Sequence, residues 1–198
     1  MNPDTNKINL ERLLGIKVKI DAKGMKTVDL SDVKKSDMKR RGVHVKRLQP
    51  TYFMGDLVYG EYRNMSRIYG AAPEYVSSPH ALIVDKKGQY VGYLSEKIEG
   101  EDLEKAKMKL ISPREAREIR SQIIYAVEAL HSKGIGHGDL DYSNIIKYKK
   151  GGHVYIKLLD PAPSLRRKDD ERNIKEDRKW IESMVLDYWA DKDPRFGN

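Results

Sequence analysis

The stretch from Ser112 to Gly134 constrains the fold of this chain more than any other, because it has the marks of a helix that must be buried on one side. Ser112 stands at an N-cap position, Pro113 suits the first helical turn, and Glu115 completes a capping box. Ala116, Ile119, Ile123, Val127 and Leu130 recur at spacings of three and four as one apolar stripe, and Gly134 ends it. Such a stripe needs an apolar layer to lie against. Two short apolar strands follow, NIIKY (144–148) and VYIKLLD (154–160), around Lys149-Lys150-Gly151-Gly152.

The remaining periodicities complete the order of elements. GIKVKID (15–21) alternates as a strand does and can pair with MKTVDL (25–30) across Ala22-Lys23-Gly24. Ser31 to Arg41 is polar and reads as loop or short helix, and GVHVKRL (42–48) as another strand. Gly55 to Tyr69 fits a helix presenting Leu57, Val58, Tyr62, Met65 and Tyr69, stopped by Pro73. ALIVD (81–85) and QYVGYLSE (89–96) form a hairpin at Lys86-Lys87-Gly88, and IEGEDLEKA (98–106) leads into the capped helix. A final helix spans about Ile174 to Trp189, with Trp180, Ile181, Met184, Val185 and Trp189 inward. This is an α+β chain, rich in sheet first and in helix afterwards.

Composition excludes some chemistry. The 198 residues suffice for one or two small domains and contain no cysteine, which rules out zinc-thiolate sites and Cys nucleophiles and suits a reducing compartment. No apolar run reaches membrane-spanning length and MNPDTNKINL lacks the order of a signal peptide, so a soluble cytoplasmic protein with no membrane partner is expected. The net charge of +8 gathers at Lys34-Lys35, Lys39-Arg40-Arg41, Lys147-Lys149-Lys150 and Arg166-Arg167-Lys168. These clusters read either as solvated surface or as a face for an acidic or nucleic-acid-associated partner.

The chemistry gathers in His137-Gly138-Asp139-Leu140-Asp141-Tyr142-Ser143-Asn144, with Asp160 at the end of the next hairpin. Phosphoryl transfer asks a protein for oxygen ligands to Mg²⁺ and a carboxylate to orient the attacking hydroxyl. An Asp and an Asn on one loop, with a second Asp at a strand end, can supply them.

H-x-D-x-x-x-x-N, then a hairpin, then Asp, resembles the catalytic loop and metal-binding Asp of the protein-kinase-like superfamily. The variant HGDLxxSN is most similar to its small archaeal-type members, the kinase of the KEOPS complex and the RIO kinases. The resemblance covers about residues 43–189. It implies a bilobal fold, with an N-lobe over 1–98 and a minimal helical C-lobe over 99–198. It further implies ATP with Mg²⁺ or Mn²⁺, and transfer to Ser or Thr of a protein substrate, this chain included. An ATPase acting within a larger complex is a close variant.

On the same resemblance Asp139 orients the hydroxyl, Asn144 and Asp160 bind metal, Lys46 holds the phosphates and Glu61 positions Lys46. A surface ion pair is the alternative for the last two. The backbone of Glu96 and Ile98 would bind adenine and Asp102 the ribose. His137 would tie the loop to Asp160, and Asp177 either anchors the loop backbone or is a solvated helix charge.

The chain also departs from the family. It has no G-x-G-x-x-G loop, His44 replaces a small residue at the adenine pocket, Pro161-Ala162 follows Asp160 in place of Phe-Gly, and no A-P-E follows. Only about 14 residues are expected between Asp160 and the last helix. HGDL and DPA also suit small-molecule kinases of the aminoglycoside or fructosamine type. The missing glycine loop suits a non-catalytic adaptor.

Overall fold

The computed structural model describes residues 15–33, 42–47, 54–107 and 113–190. Its strands are β1 (Lys19–Ile20), β2 (Lys26–Asp29), β3 (Val43–Arg47), β4 (Pro79–Val84), β5 (Tyr90–Glu96), β6 (Glu101–Asp102), β7 (Ile145–Lys150) and β8 (His153–Leu158). Its helices are α1 (Met54–Ala71), α2 (Leu103–Lys107), α3 (Pro113–His131) and α4 (Arg167–Ala190). The chain is mixed α+β and divides into two units, Met1–Tyr62 with Ser78–Lys97, and Arg63–Ser77 with Ile98–Asn198.

The first unit is built on a five-stranded sheet in the order β1-β2-β4-β5-β3. β2 runs parallel to β4, and the other pairings are antiparallel. The two hairpins read from sequence form as expected, and each is closed by an aspartate. Asp21 accepts from the amides of Lys23 and Met25, and Asp85 from those of Lys87 and Gln89. Ala81, Leu82 and Ile83 in β4 are all fully buried, so this central strand is covered on both faces. One face packs Val28, Val43, Ala81, Ile83 and Leu94 together. On the other, Tyr93 meets Tyr62 of α1 at 6.0 Å between ring centroids. Gly92 has no room for a side chain, since a Cβ there would lie 2.1 Å from the Lys46 carbonyl oxygen.

In the second unit, β6-β7-β8 form an antiparallel sheet. The stripe Ala116, Ile119, Ile123, Val127 and Leu130 is buried as its spacing requires, each large aliphatic contributing about 1.5–3 kcal/mol of transfer free energy. Ser112 lies outside the described residues. Glu115 accepts from Lys147 at 2.8 Å. The helix ends in a glycine cap: Gly134 has φ +67°, and Ile135 donates back to the Leu130 carbonyl. Gln122 of α3 pairs with the backbone of β8, donating to the Val154 carbonyl and accepting from the Ile156 amide. Further along β8, Leu158 donates to the Tyr75 carbonyl and accepts from the Ser77 amide.

Three expectations are corrected. Leu57 points outward, 48% exposed, and Tyr69 is half-buried; the face of α1 that packs carries Val58, Tyr62, Met65 and Ile68. α4 begins at Arg167, earlier than Ile174, because Asp169 reaches back to the amides of Leu165 and Arg166 and starts the helix among charged residues. Its buried face is largely polar, Asp170, Asn173, Asp177 and Met184, while Trp180 and Ile181 are only half-buried. Trp180 sits edge-on to Tyr142 at 5.4 Å. The side chains of Val185 and Trp189 lie outside those described. No helix among the described residues is long and apolar enough to cross a membrane.

Candidate functional site

The first unit contributes a compact charged cluster. Lys46 and Tyr93 are register partners on β3 and β5, which puts their side chains on one face of the sheet. The Lys46 ammonium pairs with Oε1 of Glu61 from α1, and the Tyr93 hydroxyl donates to that same oxygen at 2.6 Å. The ammonium also stands 5.7 Å from the centre of the Tyr93 ring. Glu61 is buried and Lys46 half-buried, so this pair is more enclosed than an ordinary surface ion pair. The predicted partners Lys46 and Glu61 are thus together, and Tyr93, which sequence reading missed, holds the carboxylate from a third side.

The second unit contributes the loop. Ile135, Gly136 and His137 are buried, and the chain comes to the surface at Asp139. Gly138 has φ +78°, and a Cβ there would lie 2.3 Å from the Asn173 side chain on α4. Asp177, with its side chain fully enclosed, accepts from the amides of His137 at 2.8 Å and Gly138 at 2.7 Å. It also meets Nε2 of His131 at 3.0 Å. Asp177 is therefore the backbone anchor of the loop; the solvated alternative does not hold.

Past the anchor the loop turns on Asp141, whose carboxylate accepts from the amide and hydroxyl of Ser143. This brings Asn144 back onto Asp139. Its Nδ2 donates to the Asp139 carbonyl at 2.9 Å and to the Asp139 carboxylate at 3.3 Å. With the nitrogen so engaged, the Asn144 amide presents its oxygen as the remaining donor atom, the type that a hard cation takes.

Two backbone bonds tie this loop to the Asp160 segment. Leu159 donates to the Asn144 carbonyl and Ala162 to the His137 carbonyl, both at 2.8 Å. Asp160 between them has φ +50°, the one left-handed non-glycine among the described residues. Aspartate tolerates that conformation better than most side chains, and its neighbours on both sides are fixed.

His137 does connect the loop to the Asp160 segment, but through its carbonyl. Its ring is fully buried, and neither nitrogen has a partner of good hydrogen-bond geometry, although the Leu159 backbone lies close by. Burial lowers its pKa, against the opposing pull of Asp177, Asp139 and Asp160, so the imidazole is held neutral.

The residues expected around the nucleoside are placed as follows. Glu96 uses its amide on the Ser78 carbonyl and its carboxylate on the Ser78 amide. Ile98, half-buried, is the first residue of the second unit's longer segment. Asp102 caps α2, accepting from the Lys105 amide and ammonium. Partial desolvation pushes its pKa up, but the bonds from Lys105 together hold it below the usual value.

Among the described residues, no three His, Cys, Asp or Glu side chains gather as a metal cluster. The groups expected to hold a cation, the Asp160 carboxylate after β8 and the Asn144 amide oxygen, could supply only two oxygen ligands. That suits a divalent cation shared with phosphates and water better than a cation caged by protein alone. No family model and no curated protein sequence matches the chain.

Proposed function

We propose that the chain is a minimal protein-kinase-like phosphotransferase that moves the terminal phosphoryl group of ATP to a Ser or Thr hydroxyl of protein, its own included. Asp139 orients the hydroxyl and accepts its proton. Asn144 and Asp160 hold Mg²⁺ or Mn²⁺, which would neutralise phosphate charge, and Lys46, set by Glu61, pairs with the α- and β-phosphates. The backbone of Glu96 and Ile98 takes the adenine and Asp102 the ribose, the Glu96 amide and the Asp102 carboxylate having first to release their present partners. The lysine clusters suit an acidic or nucleic-acid-associated partner, and a cytoplasmic location fits this chemistry.

The observation that carries this reading is the contact of Asn144 with Asp139 on a loop bonded to both sides of Asp160. A solvated surface turn has no need of a buried carboxylate anchoring its backbone. The residues 161–166 between Asp160 and α4 leave no length for a regulated activation segment, so the enzyme is read as constitutive.

Incubation with terminally labelled ATP and Mg²⁺, with casein, with aminoglycosides or glycated amines, or with nothing added, tests the reading. Label should enter protein with the wild type and vanish with Asp139→Ala and Asp160→Ala, both still folded. Label entering only aminoglycosides or glycated amines would move the function to small-molecule phosphorylation. No labelling and no thermal stabilisation by Mg²⁺-ATP would leave the adaptor reading.

A further inference from the structure

We propose that Asn64 is a positioning residue that keeps the backbone before Asp139 and the backbone after Asp160 at one fixed separation. This rests on the phosphotransferase reading above. Asn64 lies on α1 within the segment Arg63–Ser77 of the second unit and is completely buried. Its Nδ2 donates to the Gly136 carbonyl at 3.2 Å and to the Ala162 carbonyl at 2.8 Å. Gly136 precedes Asp139 by three positions and Ala162 follows Asp160 by two. One nitrogen therefore spans both segments that bear the reacting groups.

The chemistry of the side chain argues for this role over simple packing. A primary amide is the shortest neutral group with two N–H donors on one atom, so it can hold two carbonyls without bringing in a charge. Its other end gains nothing: Oδ1 is buried with no partner among the described residues. Leucine, which shares the branching at Cγ and is somewhat bulkier, would leave no polar atom unpaired there. The donors are what the position requires.

Their effect falls on Asp160. Its left-handed turn has no glycine to ease it and persists only while the flanking residues are held. Leu159 is held by Asn144 on one side, and Ala162 by His137 and Asn64 on the other. The opposite segment has no slack to absorb a shift, since a Cβ on Gly136 would lie 2.5 Å from the Ile174 amide nitrogen. Without Asn64 the turn can relax towards negative φ and shift the Asp160 carboxylate relative to the loop that carries Asp139 and Asn144.

The test uses Asn64→Leu and Asn64→Ser in the full chain. Binding of Mn²⁺ in the presence of ADP is followed by water-proton relaxation, with no turnover, and steady-state transfer is measured separately. For Asn64→Leu, the Mn²⁺ dissociation constant should rise and kcat should fall, each by about 10- to 100-fold, as for other groups that orient metal ligands. The KM for metal-ATP should rise in step with the Mn²⁺ constant, because the cation that Asn144 and Asp160 hold is also their link to the phosphates, while the affinity for metal-free ADP should stay within about a factor of two. Asn64→Ser, whose single O–H can reach one carbonyl, should lie between the two.

A folded Asn64→Leu with wild-type Mn²⁺ affinity and kcat would overturn the proposal, and if leucine prevents folding the serine variant decides by the same two measurements. A wild-type chain that neither binds Mn²⁺-nucleotide nor transfers phosphate would remove the phosphotransferase reading, and this inference with it. An active wild type beside unaffected Asn64 variants removes this inference alone.

Discussion

Replacing Asp177 by asparagine separates an anchored loop from one that merely rests on α4. The native carboxylate serves three groups with two oxygens: the His137 amide and His131 on Oδ2, and the Gly138 amide on Oδ1. Asparagine has nearly the same shape but one oxygen, and its NH₂ must face a donor. At least one amide then loses its acceptor inside the protein, a cost of about 1–3 kcal/mol. The remaining bond falls from charge-assisted, about 1.5–3 kcal/mol, to neutral, about 0.5–1.5 kcal/mol. The two losses sum to about 3 kcal/mol. For a chain of this size, 1 kcal/mol is about 2–4 °C of melting temperature, so Asp177→Asn should melt about 6–12 °C below the wild type. Hydrogen exchange at the His137 and Gly138 amides should accelerate in the same variant, and transfer activity should fall because Asp139 follows directly. A melting point within about 1 °C of wild type, with both amides still protected, would refute the anchoring argument.

Two further outcomes follow from the same loop. Gly138→Ala should depress transfer far more than it depresses stability, since relief of the 2.3 Å contact with Asn173 and of the φ of +78° must move Asp139; kinetics beside calorimetry would show it, and wild-type kinetics would count against the geometry. Stability should fall as pH drops below about 6.5, because the unfolded His137 takes up a proton there while the buried native imidazole, with its lowered pKa, does not until lower pH. The slope from this one group is at most about 1.4 kcal/mol per pH unit, and His137→Asn should flatten the melting profile between pH 7 and 5.

What could be read from the sequence was what depends on local pattern. The stripe of α3 is legible because water exclusion imposes the helical period on apolar letters, and both hairpins because Asp and Gly satisfy turn geometry by themselves. The pair Asp139 and Asn144 was legible because an Asp and an Asn close together on one loop can face the same side, and because their order resembles H-x-D-x-x-x-x-N. The polar face of α4 was not. Asp170, Asn173 and Asp177 have the spacing of a buried stripe, yet such residues go inside only when distant partners meet them. The partners Arg67, His137 and Gly138 lie far along the chain, although Ser164 is near Asp170. Tyr93 and Asn64 escaped for the same reason: nothing nearby in sequence says which carboxylate or carbonyl they will reach.

The way Gln122 lies along β8 bears on how the edge of the small sheet is protected. A terminal strand offers its outward amides and carbonyls to any chain that comes by, which is the usual start of sheet-to-sheet aggregation. Here the side chain of Gln122 imitates a neighbouring strand over Val154 and Ile156, and Tyr75 and Ser77 take up Leu158 beyond it. The protein has in effect recruited one glutamine as the last rung of its own ladder. That border of the small sheet is closed to strangers at Val154, Ile156 and Leu158, with the Lys157 ammonium on the Pro73 and Val76 carbonyls beside it.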